Sequence, residues 1–257
     1  MEGDVTQIYK KEFKCALCGN LSTHEAIIST NTLGWPDLDT RPSEMARSTI
    51  NAWIQMCPSC GFCAPDISEE VAKAAKVVQG NVYREQLENP DYPKLANSFL
   101  CWSLIQEISE QFSDAGWASV HAAWACDDRG SIKSGQLCRM RAAHLFLRAR
   151  EKGQKFAKGV GTEEALILTD ILRRADRFEE ALTICEEALT KGADENVKKL
   201  LEHEKTLIEE QDTSVANQST ILFAKVFQKM EEKGIKKKVF TRKELNALIK
   251  ESENDSK

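Results

Sequence analysis

Apolar residues recur along this chain at two different periods, and the change falls near residue 65. Beyond it the period is helical. Leu95, Phe99, Trp102, Ile105, Ile108 and Phe112 stand at steps of three and four, which predicts one long helix. Leu100, Cys101 and Leu104 fill its other faces, as in a helix buried on most sides. Ahead of it, Asp66 and Glu69 form a capping box. It opens a helix with Val71, Ala74, Ala75 and Val78 on one face and Gly80 as its stop. A connector with Pro90 and Pro93 separates the two. Further on, helices are predicted in pairs, near 114–127 with 135–151 and near 162–175 with 177–190. Another near 195–211 covers the apolar end of the stack with Val197, Leu200, Leu201, Leu207 and Ile208.

Residues before 65 lack this period. "HEAIIST" and "NAWIQM" are short and β-branched or aromatic enough to be strands. The turn-rich "NTLGWPDLDTRPSEMARST" between them is predicted as one long loop. After the helices, the polar "QDTSVANQST" reads as a linker to a last helical module. Phe223, Phe227 and Met230 give that module an apolar face ended by Gly234. Thr241 with Glu244 and Phe240 with Leu245 supply a second capping box and its staple, and "ESENDSK" reads as disordered. The expected fold is α+β in three parts: a small β module over 1–65, a helical domain over 66–212, and a C-terminal helical hairpin with its end over 213–257.

Cysteine changes the picture. Nine are present, five of them before residue 64. An odd, clustered set in a chain whose "MEGDVTQIYKKEFK" start lacks a secretory core argues for metal ligands and buried thiols rather than disulfides. The expected compartment is the cytoplasm. Cys15-Ala-Leu-Cys18-Gly and Cys57-Pro-Ser-Cys60-Gly are two copies of one device. Two intervening residues aim both thiolates at one centre, and the following glycine permits the positive φ that turns backbone N–H groups toward sulfur. Two such knuckles make a closed tetrahedral site, so Cys15, Cys18, Cys57 and Cys60 are the predicted metal ligands, with structural zinc as the ion. The gap between Cys18 and Cys57 is 38 residues, but loop closure grows only logarithmically with length, about 1 kcal/mol or less for the excess. Cys63, the third cysteine of "CPSCGFC", is read as a small buried residue, and His24 as structural or surface.

Three resemblances follow from these residues. The pattern CxxCG…CPxCG also looks like rubredoxin, which implies iron and electron transfer as the alternative to zinc. "ALILTDILRRADRFEEALTICEEALTKGAD" resembles the tetratricopeptide (TPR) repeat, with Ala165, Leu168, Leu172, Ala181, Cys185 and Ala188 on the signature positions. Thr169 and Ala193 depart from it, and the preceding pair of helices departs further. The order "CALCG", "STNTLGWPDLDTRP", "CPSCGFCAPDIS", "HAAWACDDRG", "LRRADRFEEAL" resembles, over about 10–210, an uncharacterised bacterial family that joins a zinc-ribbon-like region to TPR-like helices. The resemblance implies a zinc-ribbon-like module followed by a TPR-like solenoid; it implies no activity.

Other candidates are weaker. In "WPDLDTRP", Asp37, Asp39 and Arg41 beside Trp35 either tie the loop to itself, meet a cation or partner, or act as acid and base, the first being the favoured reading. Net charge is −5, which excludes a global nucleic-acid or membrane signal, but charge is segregated. Residues 129–158 carry nine basic groups and one acidic, whereas 162–212 carry seven basic and fifteen acidic. Arg141, Arg148, Lys152 and Lys155 fall near one helical face, which suits solvation, an acidic peptide, or RNA phosphates. The tryptophans 53, 102, 117 and 124 read as core, and no histidine sits in a triad-like arrangement. The sequence therefore favours a binding or adaptor protein with a protein or peptide partner over an enzyme.

Overall fold

Strand β1 (Gln7–Lys14) and strand β2 (Leu21–Ser29) pair antiparallel, with Lys14 opposite Leu21 at the closed end. A second, much smaller hairpin joins β3 (Gln55–Met56) to β4 (Cys63–Ala64), with Met56 opposite Cys63. Six residues close each hairpin, and each loop is one of the cysteine knuckles. The structure, a computed structural model, describes residues 6–157 and 161–232. Gly234, the 240–245 capping box and staple, and "ESENDSK" lie outside them.

Strand β1 was not foreseen from the sequence. Only Phe13 of its eight residues is buried, so its lysine-rich face shows no apolar alternation. "NAWIQM" is a strand only at Gln55–Met56. Ile50–Ala52 forms a 3-10 turn instead, which the Trp53 indole N–H closes by donating to Thr49 Oγ1 at 2.8 Å. Within the long loop, α1 (Glu44–Arg47) is a single turn.

The helical part follows the predicted period with local shifts. Asp66 does not open a helix. Its carboxylate accepts from the Ser68 N–H at 2.8 Å in an Asx turn, and α2 begins only at Ala74 (Ala74–Val78). Val77 then joins Ala74 and Val78 in the core, whereas Ala75 is exposed. The connector before Pro90 contains another helix, α3 (Asn81–Leu87). Helix α4 (Lys94–Ile108) stops short of Phe112, because Glu110 takes a left-handed φ of 59° and Phe112 starts the next helix. Then come α5 (Phe112–Asp127), α6 (Ile132–Glu151), α7 (Gly161–Arg174), α8 (Phe178–Thr190) and α9 (Glu195–Glu209). The Asp194 side chain caps α9 on the N–H groups of Asn196 and Val197.

From α4 to α9 each helix packs on its successor, and α7 also packs on α9. The residues on the repeat-like positions, Ala165, Leu168, Leu172, Ala181, Cys185 and Ala188, are all buried. The architecture is thus mixed: two small two-stranded sheets at the N-terminal end and a larger run of packed helices. One continuous apolar core extends from Phe13 to Ile208.

The stretch 211–220 does more than link. Leu38 N–H donates to Ala216 O at 2.9 Å, and Asp37 and Asn217 form a β-bridge. Helices α10 (Gln218–Leu222) and α11 (Ala224–Glu232) follow it.

Inside the helical stack, Arg173 is fully buried between Asp170 and Glu204, with Nη2–Oδ1 at 2.7 Å and Nε–Oε2 at 2.8 Å. Burial, then the neighbouring Asp170, pushes the Glu204 carboxyl up to about 8. Its folded value lies above the ordinary carboxylate value, so the folded state holds the extra proton between the two and stability falls as pH rises across that interval. Glu204→Gln is expected to remove this slope. In urea titrations the variant and the native chain should converge near pH 5 and diverge by about 1–3 kcal/mol in the variant's favour by pH 9. Parallel pH profiles for the two would refute the assignment.

Candidate metal centre

The two knuckles share one backbone pattern. In the first, Gly19 N–H donates to Cys15 O and Cys15 N–H donates to Asn20 O, both at 2.9 Å. In the second, Gly61 N–H donates to Cys57 O and Cys57 N–H donates to Phe62 O, again at 2.9 Å. Gly19 and Gly61 adopt φ of 73° and 75°, the left-handed turn that only glycine enters without cost. At Gly61 a Cβ would also lie 2.6 Å from Leu87 Cδ2 of α3, so the Leu87 side chain would have to move.

These loops bring the four sulfurs together. Cys15 Sγ lies 3.6 Å from Cys60 Sγ, Cys18 Sγ lies 3.6 Å from Cys57 Sγ, and all four fall within 4.8 Å of one another. Disulfide sulfurs stand about 2.05 Å apart, so these are free thiols. A metal with sulfur ligands at about 2.3 Å sets tetrahedral edges of about 3.8 Å, which is the size of this group. The residues present therefore fit one tetrahedral metal ion, and both knuckles contribute equally.

Local electrostatics divide the four. Burial pushes the Cys15 and Cys60 thiols up. The Asn20 backbone N–H pulls the exposed Cys18 thiol down to about 7. A bound divalent cation overrides the burial effect and favours the thiolate at all positions.

A family model described as an uncharacterized protein conserved in bacteria (DUF2225) matches residues 8–211. The chain belongs to this family. No curated protein and no solved structure matches it. The DUF2225 span takes in both knuckles, the long loop and helices α1 to α9.

The remaining cysteines of this DUF2225 chain stand apart from the four. Cys63 is fully buried; its N–H donates to Tyr83 Oη at 3.0 Å, and the Tyr83 hydroxyl donates to Gly61 O at 2.9 Å. The residue thus ties the second knuckle to α3 rather than ligating. His24 is also outside the cluster, with Nε2 at 2.8 Å from Ser22 Oγ and its ring edge-on to Phe13.

The "WPDLDTRP" loop is held mainly by the helical part. Asp39 is fully buried. Its Oδ2 accepts from Trp124 Nε1 and from Arg174 Nη1, both at 2.8 Å, and its Oδ1 accepts from the Arg41 N–H at 3.1 Å. Arg41 reaches Asp128 at 2.5 Å, and Asp37 pairs with Arg47 at 2.5 Å. Arg139 and Arg174 also meet Asp127, at 2.5 and 2.8 Å, and the pair holds its carboxyl below the ordinary range against the opposing effect of burial. Asp37, Asp39 and Arg41 are therefore turned inward. Trp35 is half-exposed, edge-on to Phe223 at 5.3 Å.

On the basic face, Arg141 and Arg148 converge on Glu107 of α4 at 2.6 and 2.8 Å, and Arg148 also lies 4.1 Å over the Phe112 ring. Lys152 only caps α6 and Lys155 lies beyond it, so these two do not continue the helical face of Arg141 and Arg148; both are exposed. Sequence reading missed Asp127, Arg139 and Arg174 as the partners of the loop. It also left His121 apart from Trp117 and Trp124, although the spacing of four and three places all three on one face of α5.

Proposed function

We propose that this chain is a binding protein in which one zinc ion staples the N-terminal hairpins and a TPR-like helical surface receives a protein or peptide partner. The single observation carrying the first half is the group of four sulfurs within 4.8 Å, held in two equivalent hairpin loops. Four protein thiolates complete a tetrahedron and leave no open position for substrate, which is the arrangement of a structural ion. Tyr83 and Leu87 couple the second knuckle to α3, so the ion would fix the hairpins against the helices. Free thiols at every cysteine suit a reducing cytoplasmic compartment.

For the helical surface, support comes from consecutive packing of α4 to α9 and from exposed Lys152 and Lys155 just past the end of α6. Glu107 already occupies Arg141 and Arg148, which weakens the reading of this face as an RNA phosphate track. An acidic peptide needing only the two lysines fits better. A rubredoxin-like iron carrier is the second reading, favoured by one feature: Cys18 is exposed, so a redox ion would lie close to the surface.

Metal analysis of the purified chain tests the proposal. The expected result is about one zinc per chain in a colourless, redox-silent protein. A red, reducible iron centre overturns it in favour of the carrier. For the surface, acidic peptides are expected to bind the native chain and to lose about tenfold in affinity to a Lys152→Glu, Lys155→Glu variant. Equal binding by both chains removes the peptide reading while leaving the zinc assignment standing.

A further inference from the structure

Away from the metal centre and the basic face, a recess of about 350 Å³ opens where the "NAWI" segment meets α4 and α5. Trp53, Phe99, Trp102 and Trp117 supply four of its lining residues, His121 and Asp114 two more, and the other three are apolar. His121 sits among the rings. Its imidazole centroid is 5.2 Å from Trp53, 5.3 Å from Phe99, 6.4 Å from Trp117 and 4.9 Å from Trp124. Burial drives its protonation down to about 4, and no hydrogen bond contributes to that shift, so at neutral pH the ring is an uncharged member of the lining. The Trp53 and Trp117 indole N–H groups are already used, on Thr49 Oγ1 at 2.8 Å and Phe156 O at 3.0 Å, which fixes both rings in place.

The charge pattern narrows the ligand. Among the lining residues Asp114 is the sole charged group at neutral pH; it is exposed and negative, and no lysine or arginine lines the recess. Aromatic faces carry negative potential and attract a cation laid against them. An anion would meet only repulsion there. A bare ammonium would have to surrender up to three water contacts, and the lining offers too few acceptors to replace them. A cation whose nitrogen is methylated has little hydration to lose and fits small apolar walls.

The geometry points to a site for an N-methylated alkylammonium group, with the aromatic side chains lining the recess that would hold the cation and Asp114 setting its charge preference. This site is independent of the metal and of the helical surface described above. Two sources carry the same chemistry: a free choline-like metabolite, or a trimethylated lysine on a protein.

Equilibrium titration of the full chain, followed by tryptophan fluorescence and calorimetry, tests the assignment. The ligands are choline, a short peptide bearing trimethyllysine, the same peptide unmethylated, and 3,3-dimethylbutanol as the uncharged isostere of choline. The expected result is saturable binding of a methylated cation, with the isostere and the unmethylated peptide at least about tenfold weaker. Tighter binding of choline than of the peptide identifies the metabolite source, and the reverse order identifies the protein source; either supports the site. Asp114→Asn, at an exposed position in the first turn of α5, is expected to weaken binding about fivefold. Trp102→Leu is expected to weaken it about tenfold or more. No saturable binding of either methylated ligand, an isostere as tight as choline, or undiminished binding in both variants overturns the proposal.

Discussion

Cys57→Ser is expected to purify without its metal and to unfold well below the native chain. Cys57 is fully buried, its sulfur is 3.6 Å from that of Cys18, and its backbone closes the second knuckle on Phe62 O. Serine keeps the shape but offers no thiolate, and three sulfurs hold zinc far less tightly than four. Metal binding contributes about 10 kcal/mol or more to folding small sites, the same order as the whole stability of an ordinary domain. Few apolar side chains stand behind the first hairpin, since Phe13 is the one buried residue of β1 and none of β2 is fully buried. The hairpins are therefore expected to depend on a bound ion. The measurement is a pair of thermal melts with and without a strong chelator. Chelator should lower the native midpoint to that of the variant and leave the variant unchanged. Cys63→Ala, by contrast, is expected to retain metal and lose about 1–2 kcal/mol from a small cavity. A Cys57→Ser chain that keeps a full metal equivalent and the native midpoint would remove the site from the fold's support.

Removing the carboxylate of Asp39 has the second large expected effect. Arg174 and Arg139 are buried beside it, with side chains 8% and 4% exposed. Their Nε atoms, and that of Arg41, already lack partners among the described residues. Asp39→Ala leaves guanidinium groups in a poorly solvated interior with one carboxylate fewer. Breaking a buried pair in this way costs about 3–5 kcal/mol, more than the pair itself contributes. Trp124 would also lose the acceptor of its indole N–H. Asp128→Ala is the control. It removes the partner of Arg41, but the Asp128 side chain is 45% exposed and water replaces it, so about 1 kcal/mol or less is expected. Urea denaturation of both variants distinguishes them, and similar midpoints would show that the loop does not depend on its buried charge.

These results separate what the sequence discloses from what it hides. The four clustered cysteines were legible because each knuckle is written locally, as two cysteines, two spacers and a glycine, repeated. The bounds of α5 to α9 were legible to within a few residues because the apolar period runs uninterrupted for 13–20 residues in each. Short elements were not. The seven residues of α3 give two turns, too few for a period to stand out, and the β1 hairpin buries almost nothing. Side-chain partnership was hidden altogether. Asp39 finds Trp124 at a separation of 85 residues and Arg174 at 135, distances over which no local pattern survives. For the same reason the sequence could name Trp35 to Arg41 as unusual but could not say that the loop turns its acids inward.

The β-bridge between Asp37 and Asn217, reinforced by the Asn217 amide on Asp37 Oδ1 across 180 residues, has a bearing on synthesis. Both knuckles leave the ribosome early and can meet each other while translation continues. The clasp on the loop between them waits for residues 216–218, which follow the family-matched span. The last contact on the loop is thus made late, after the helices that hold Asp39 and Arg41 have been synthesised.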